Sequence, residues 1–210
     1  MRTNNIVAVR GCTGDKLETL SIDTKSAALV VIDLQKGIAT RELQPYNSQT
    51  VIGNAARLAG AFRRNGMPVF LVHVISSDKD RLNVIADEAM FSRPQAQQMP
   101  KDWSEFVPEL NASDSDIVIT KKQWGAFYGT ELELQLRRRK IDTIVLCGVA
   151  TNYGVESTAR FAYEFGFNQV FAEDAISSMS REMHDASVNY VLKRMGRVRK
   201  TDEILESLKQ

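Results

Sequence analysis

Five short apolar runs, each followed by a longer amphipathic or polar stretch, constrain this chain more than any other feature. They are Ala27–Ile32 (AALVVI), Pro68–Val74 (PVFLVHV), Asp116–Thr120 (DIVIT), Thr143–Cys147 (TIVLC) and Gln169–Ala172 (QVFA), with a short sixth at Arg197–Arg199. They are β-branched and apolar at successive rather than alternate positions, the pattern of strands covered on both faces. Between them, Ser48–Asn65 places Val51, Ala55, Leu58 and Phe62 on one helical face. Asn152–Phe165, Arg181–Met195 and Glu203–Leu208 also read as helices. In Glu131–Arg139 the leucines alternate with period two. We read it as helix, because Thr130 and Glu133 have capping-box spacing and Leu132 and Leu136 share a face. Strand–helix alternation implies a parallel sheet with helices on both sides. The expected fold is therefore α/β, a three-layer α/β/α domain around a six-stranded, mostly parallel, doubly wound (Rossmann-like) sheet.

Residues 1–20 are irregular and form an expected N-terminal arm, with one possible strand at Ile6–Val9; residues 21–210 form the domain. The polar stretch 76–115 carries Pro94, Pro100 and Pro108 and reads as a lid or interface loop with short helical pieces. With 27 basic and 26 acidic residues, the charge balance gives no general attraction to nucleic acid or to a membrane surface. No apolar run approaches a membrane span, and the N-terminus lacks a signal-peptide core. Two cysteines, Cys12 and Cys147, make no disulfide framework. The expected location is the cytoplasm.

Open parallel sheets bind ligands beyond the carboxyl ends of their strands, near the point where strand order reverses. The residues to weigh are thus Asp33, His73, Lys121 and the segment Gly148–Gly154. Asp33 closes an apolar strand, where a carboxylate is costly unless paired or hydrogen-bonded; loop capping and function both fit that position. Lys121, if it points inward, supplies a positive partner. Gly148–Gly154 leads from a strand into a helix, whose first backbone N–H groups suit an oxyanion. It lacks the spacing of a dinucleotide or phosphate-binding loop.

Three segments together resemble the signature of the isochorismatase-like hydrolases, which include isochorismatases, nicotinamidases and N-carbamoylsarcosine amidases. They are the apolar strand ending Asp33-Leu34-Gln35, the segment Lys121–Thr130 (KKQWGAFYGT), and Gly148–Ala159 (GVATNYGVESTA). The resemblance spans residues 25–200. It implies a six-stranded parallel sheet, an Asp–Lys–Cys triad in the thiol members, and a non-proline cis peptide before the nucleophile loop. Carried over residue by residue, Asp33 and Lys121 match the acid–base pair and Val149–Ala150 the cis peptide. Gln35, Phe127, Val149, Ala150 and Tyr153 are the expected substrate contacts, with a homodimer or larger homo-oligomer as the expected assembly.

The departure lies at the nucleophile. Thiol members carry Cys where this chain has Gly154, so covalent thiol catalysis is excluded at that position. Cys147 lies inside an apolar strand and reads as a small buried hydrophobe. As the family is known, true isochorismatases also have glycine there. They protonate a vinyl ether and let water add to the oxocarbenium ion. The flanking sequence Thr151–Thr158 looks more like the amidase relatives. The nicotinamidases' Asp–His–His metal site has no counterpart here. His73 lies within an apolar strand and His184 on a late helix, so no metal and no cofactor are expected. The expectation is a hydrolase of a small metabolite working by Asp33–Lys121 acid–base chemistry. The alternative is a non-catalytic member that binds a metabolite or protein.

Overall fold

A computed structural model describes residues 20–75, 84–88 and 99–209. The expected strand Ile6–Val9, most of the arm and much of the 76–115 loop lie outside these residues. The strands are β1 (Ala27–Ile32), β2 (Val69–Val74), β3 (Ile117–Lys121), β4 (Thr143–Val149), β5 (Asn168–Ser177) and β6 (Arg197–Arg199). They form one parallel sheet in the order β3-β2-β1-β4-β5-β6. Strand order therefore reverses between β1 and β4, which makes their carboxyl ends the natural ligand crevice.

The period of two along a strand decides which layer each side chain joins. Leu29 and Val31 of β1 pack with Val51, Ala55, Leu58 and Phe62 of α2 (Ser48–Arg64), and with Ile204 of the last helix, Thr201–Ser207. Ala28, Val30 and Ile32 face the other layer. There they meet Leu132 and Leu136 of the helix Leu132–Arg138, Ala159 and Ala162 of the helix Glu156–Glu164, and Val188 and Leu192. Every residue of β1 is buried, as its unbroken apolar run requires.

Four details differ from the expectations. A short helix α1 (Lys36–Ala39) follows β1 directly. Strand β4 continues through Gly148 and Val149, and β5 runs ten residues to Ser177. The polar pair Glu173–Asp174 hides that extension in the sequence, but both carboxylates are anchored. Asp174 accepts from the Thr201 N–H and hydroxyl at 2.7 Å each, and Glu173 accepts from the Tyr46 hydroxyl at 2.8 Å. The helix expected over Arg181–Met195 is continuous in extent but changes winding, with a π-helical segment at Ser187–Leu192. Finally, the expected capping box does not form. Thr130 Oγ1 accepts from the N–H of Leu132 at 3.1 Å and donates to Ala126 O, while Glu133 faces Arg137 at 3.6 Å. The helix starts one residue too late for the box.

Candidate active site

Asp33 is the first residue beyond β1 and takes the left-handed conformation, φ +52°. Among residues with side chains, Asp tolerates this turn comparatively well. Its N–H remains tied to Val72 O of β2 at 2.9 Å. Lys121 ends β3, two strands away, in register with Val74. Its chain passes over the end of β2, and Nζ donates to Asp33 Oδ2 at 2.7 Å and to Trp124 O at 2.5 Å. Both residues are buried, Asp33 at 5% exposure and Lys121 at 1%. Asp33 Oδ1 is buried and has no hydrogen-bond partner among the described residues. Burial pushes the Asp33 carboxyl above its ordinary value, and the Lys121 charge and hydrogen bond pull the other way.

The third part comes from β4. Gly148 has φ +117°, and a Cβ there would lie 2.0 Å from Ile32 O. Only glycine lets β4 cross the end of β1 this closely. The Val149–Ala150 peptide is cis. Thr151–Val155 then forms a π-helical turn leading into Glu156–Glu164. The N–H groups of Tyr153 and Val155 both donate to Ala150 O, at 3.1 and 3.2 Å. The turn is thus wound more widely than the plain helix start expected for it, and two of its amides are internally satisfied.

This winding sets Gly154 against the ion pair. A Cβ at position 154 would lie 2.9 Å from Ile32 Cγ2, 3.1 Å from Asp33 Oδ2 and 3.3 Å from Lys121 Nζ. The missing side chain is therefore missing at the pair itself. A buried hydroxyl fixes the turn from behind: Thr158 Oγ1 donates to Gly154 O at 2.7 Å and accepts from the Ala126 N–H at 3.1 Å. At the rim, the half-exposed Trp124 ring lies 4.9 Å from that of Tyr153.

The structure brings together Asp33, Lys121 and Gly154, while Val149 and Ala150, on the approach to the turn, are buried in the α2-facing core and Tyr153 packs against it. It uses Gln35 and Phe127 differently. The Gln35 amide is spent on backbone: Nε2 donates to Val74 O and Trp103 O at 3.1 and 3.2 Å, and Oε1 accepts from the Val74 N–H at 2.9 Å. It ties the end of β2 to the returning loop. Phe127 is buried in the core between Phe165 and Phe167. His73 faces Ser104 O and Thr120 Oγ1 at 2.8 and 2.9 Å. His184 is buried, with Nδ1 2.9 Å from Thr151 Oγ1. Among the described residues, no three His, Cys, Asp or Glu side chains cluster as metal ligands. No helix of these residues is long and apolar enough to cross a membrane. Burial pushes the Cys147 thiol pKa up, away from nucleophilic use. The motif position of Thr158 and the late-helix position of His184 give no hint in sequence of the partners they hold here.

The profile of the isochorismatase domain matches residues 27–203. The isochorismatase family protein YecD of Escherichia coli O157:H7 is 51% identical over 189 residues, covering 90% of this chain and all of the relative. A probable isochorismatase of Pseudomonas chlororaphis is 30% identical over 186 residues, 88% of this chain and 87% of the relative. The solved structure of an isochorismatase family protein from Burkholderia thailandensis superposes with a TM-score of 0.84 at 38% identity, covering 90% of this chain and 98% of the other.

Proposed function

Given that the chain belongs to the isochorismatase family, we propose that it hydrolyses a small metabolite with Asp33 as the group that moves the proton and water as the nucleophile. The observation that carries this reading is the position of Gly154. Where a thiol hydrolase would hold its nucleophile, this chain sets a residue with no side chain against the buried Asp33–Lys121 pair. A buried ion pair is weak support for stability, so its presence beside a position without a side chain is best explained by chemistry.

The reaction that fits is isochorismatase-type ether hydrolysis, for which the similarity to the Pseudomonas chlororaphis protein is the support. The protonated Asp33 carboxyl delivers its proton to the terminal carbon of an enol ether. The resulting oxocarbenium ion is attacked by water, and the hemiketal collapses to a carbonyl compound and an alcohol. The proton released from water returns to Asp33. Burial supports the acid role, because it holds the carboxyl's proton affinity above the ordinary value. Lys121 opposes that shift and steadies the carboxylate left after transfer. Val149, Ala150 and Tyr153 are the proposed substrate contacts, and the Trp124–Tyr153 rim suits a planar, unsaturated substrate. Related C–N hydrolysis on the same pair is the neighbouring chemistry.

The test is a hydrolysis screen of vinyl ethers, amides and ureides with wild type and Asp33→Asn side by side. Turnover of a vinyl ether that disappears in Asp33→Asn supports the reading. Turnover that survives the substitution overturns it. Binding without turnover of any class would favour a metabolite-binding member instead.

A further inference from the structure

From the start of the Gly154 turn a second polar chain, buried at Thr151 and His184, runs outward through Glu173 to Tyr46 and Lys200. Thr151, fully buried, opens the π-helical turn. Its Oγ1 lies 2.9 Å from His184 Nδ1. His184, at 1% exposure, presents Nε2 to Glu173 Oε1 at 3.8 Å. Glu173 is also hydrogen-bonded by the Tyr46 hydroxyl and by Lys200 Nζ. Burial works against ionising Glu173, but the facing His184 imidazole and the hydrogen bonds from Lys200 and Tyr46 overcome it and hold its pKa down to about 2. In the neutral ring, an ionised carboxylate facing Nε2 favours the tautomer with its proton on that nitrogen. Nδ1 is then the acceptor, and the Thr151 hydroxyl donates to it.

We propose that His184 is a positioning residue for the active-site turn: it holds Thr151 at one end as Thr158 holds Gly154 at the other, and so fixes the distance between the turn and the Asp33–Lys121 pair. The geometry gives the turn a side-chain anchor at each end, on separate helices, with Ser178 Oγ donating to Asn152 Oδ1 between them. A π-helical turn lacks the regular α-helical hydrogen bonding that would fix it by itself, and an active-site displacement of about 1 Å can cost orders of magnitude in rate. This inference rests on the hydrolase reading for its effect on turnover, but not for its effect on the turn.

The two imidazole nitrogens separate the roles. His184→Asn keeps a polar group near the Nδ1 position and loses Nε2; His184→Gln keeps one near Nε2 and loses Nδ1. Turn position is read without substrate from Trp124 fluorescence in a Trp103→Phe background, since Trp124 rests on Tyr153 of the turn. His184→Gln and Thr151→Val should both shift Trp124 emission, and His184→Asn should restore it. On any substrate whose turnover depends on Asp33, kcat should fall about tenfold or more in His184→Gln with little change in KM, and recover in His184→Asn. Unchanged emission in both His184→Gln and Thr151→Val would overturn the proposal, as would losses in the two His184 variants that simply track their melting temperatures. If no substrate is found, the hydrolase reading fails while the emission comparison still decides this one.

Discussion

The Asp33 carboxylate uses its two oxygens unequally. Oδ2 accepts a 2.7 Å hydrogen bond from Lys121 Nζ, whereas Oδ1, itself buried, has no partner among the described residues. An unmet buried acceptor is costly. It is also where a carboxyl proton sits with least competition, because the other oxygen already faces an ammonium.

Removing the counter-charge should expose this balance. Lys121→Met leaves Asp33 buried without its cation and should cost about 3–5 kcal/mol at neutral pH. The sign follows from proton binding. With its folded-state pKa raised further, Asp33 holds its proton in the folded state over a range where the unfolded chain has released it. Stability then falls as pH rises through that range, and the deficit relative to wild type shrinks toward about pH 4. Urea unfolding at several pH values checks this; equal deficits at pH 4 and pH 8 would contradict it.

Gly154→Cys puts a thiol beside the ion pair. The Cβ would stand 2.9 Å from Ile32 Cγ2, so the variant should lose about 1–3 kcal/mol from overpacking. Lys121 Nζ, 3.3 Å from that Cβ, should lower the thiol pKa below the usual value of about 8.5. The pH dependence of alkylation at position 154, mapped by mass spectrometry, reads it directly. An ordinary thiol pKa there would mean that Lys121 does not act on this position.

Cys147→Ser should leave turnover nearly intact. Cys147 is fully buried in β4, facing the α2 layer. Burying a hydroxyl in its place should cost about 1–3 kcal/mol. A variant that folds but fails to turn over substrate would return a thiol to the mechanism.

Glu173 gives the opposite pH signature to Asp33. Its pKa is lowered from 4.5 to about 2, so its contribution is complete above the ordinary value and fades as pH falls toward 2. With Lys200 half exposed, solvent screens much of it and leaves about 1 kcal/mol. Glu173→Gln should therefore destabilise at neutral pH and differ progressively less from wild type in acid, by urea unfolding. A deficit independent of pH would contradict the ionised state.

How much of this was legible in the sequence depends on what each residue answers to. Asp33 and Lys121 were visible because position at a strand end is itself a signal, and the sheet then brings the ends together; Gly154 was visible only through the family resemblance of Gly148–Ala159. Gln35 and Phe127 share the same motifs but answer to other partners. The targets of Gln35 are backbone groups of Val74 and Trp103, and the face on which Phe127 falls is set by Phe165 and Phe167. Neither relation leaves a trace in spacing. Thr158 and His184 were hidden for the same reason: their bonds join Ala126 to Gly154 and Thr151 to Glu173, across layers. The extension of β5 was masked by two carboxylates whose partners, Tyr46, Lys200 and Thr201, are supplied by other segments.

In the proposed reaction Asp33 moves the proton. The most direct test is the pH dependence of kcat/KM for a vinyl-ether substrate in wild type and Asp33→Asn. If the protonated carboxyl is the acid, the wild-type rate should decline as pH rises through a pKa above the ordinary carboxylate value, and Asp33→Asn should show neither that limb nor turnover above background. Comparable turnover in Asp33→Asn, with the same pH limb, would contradict the account.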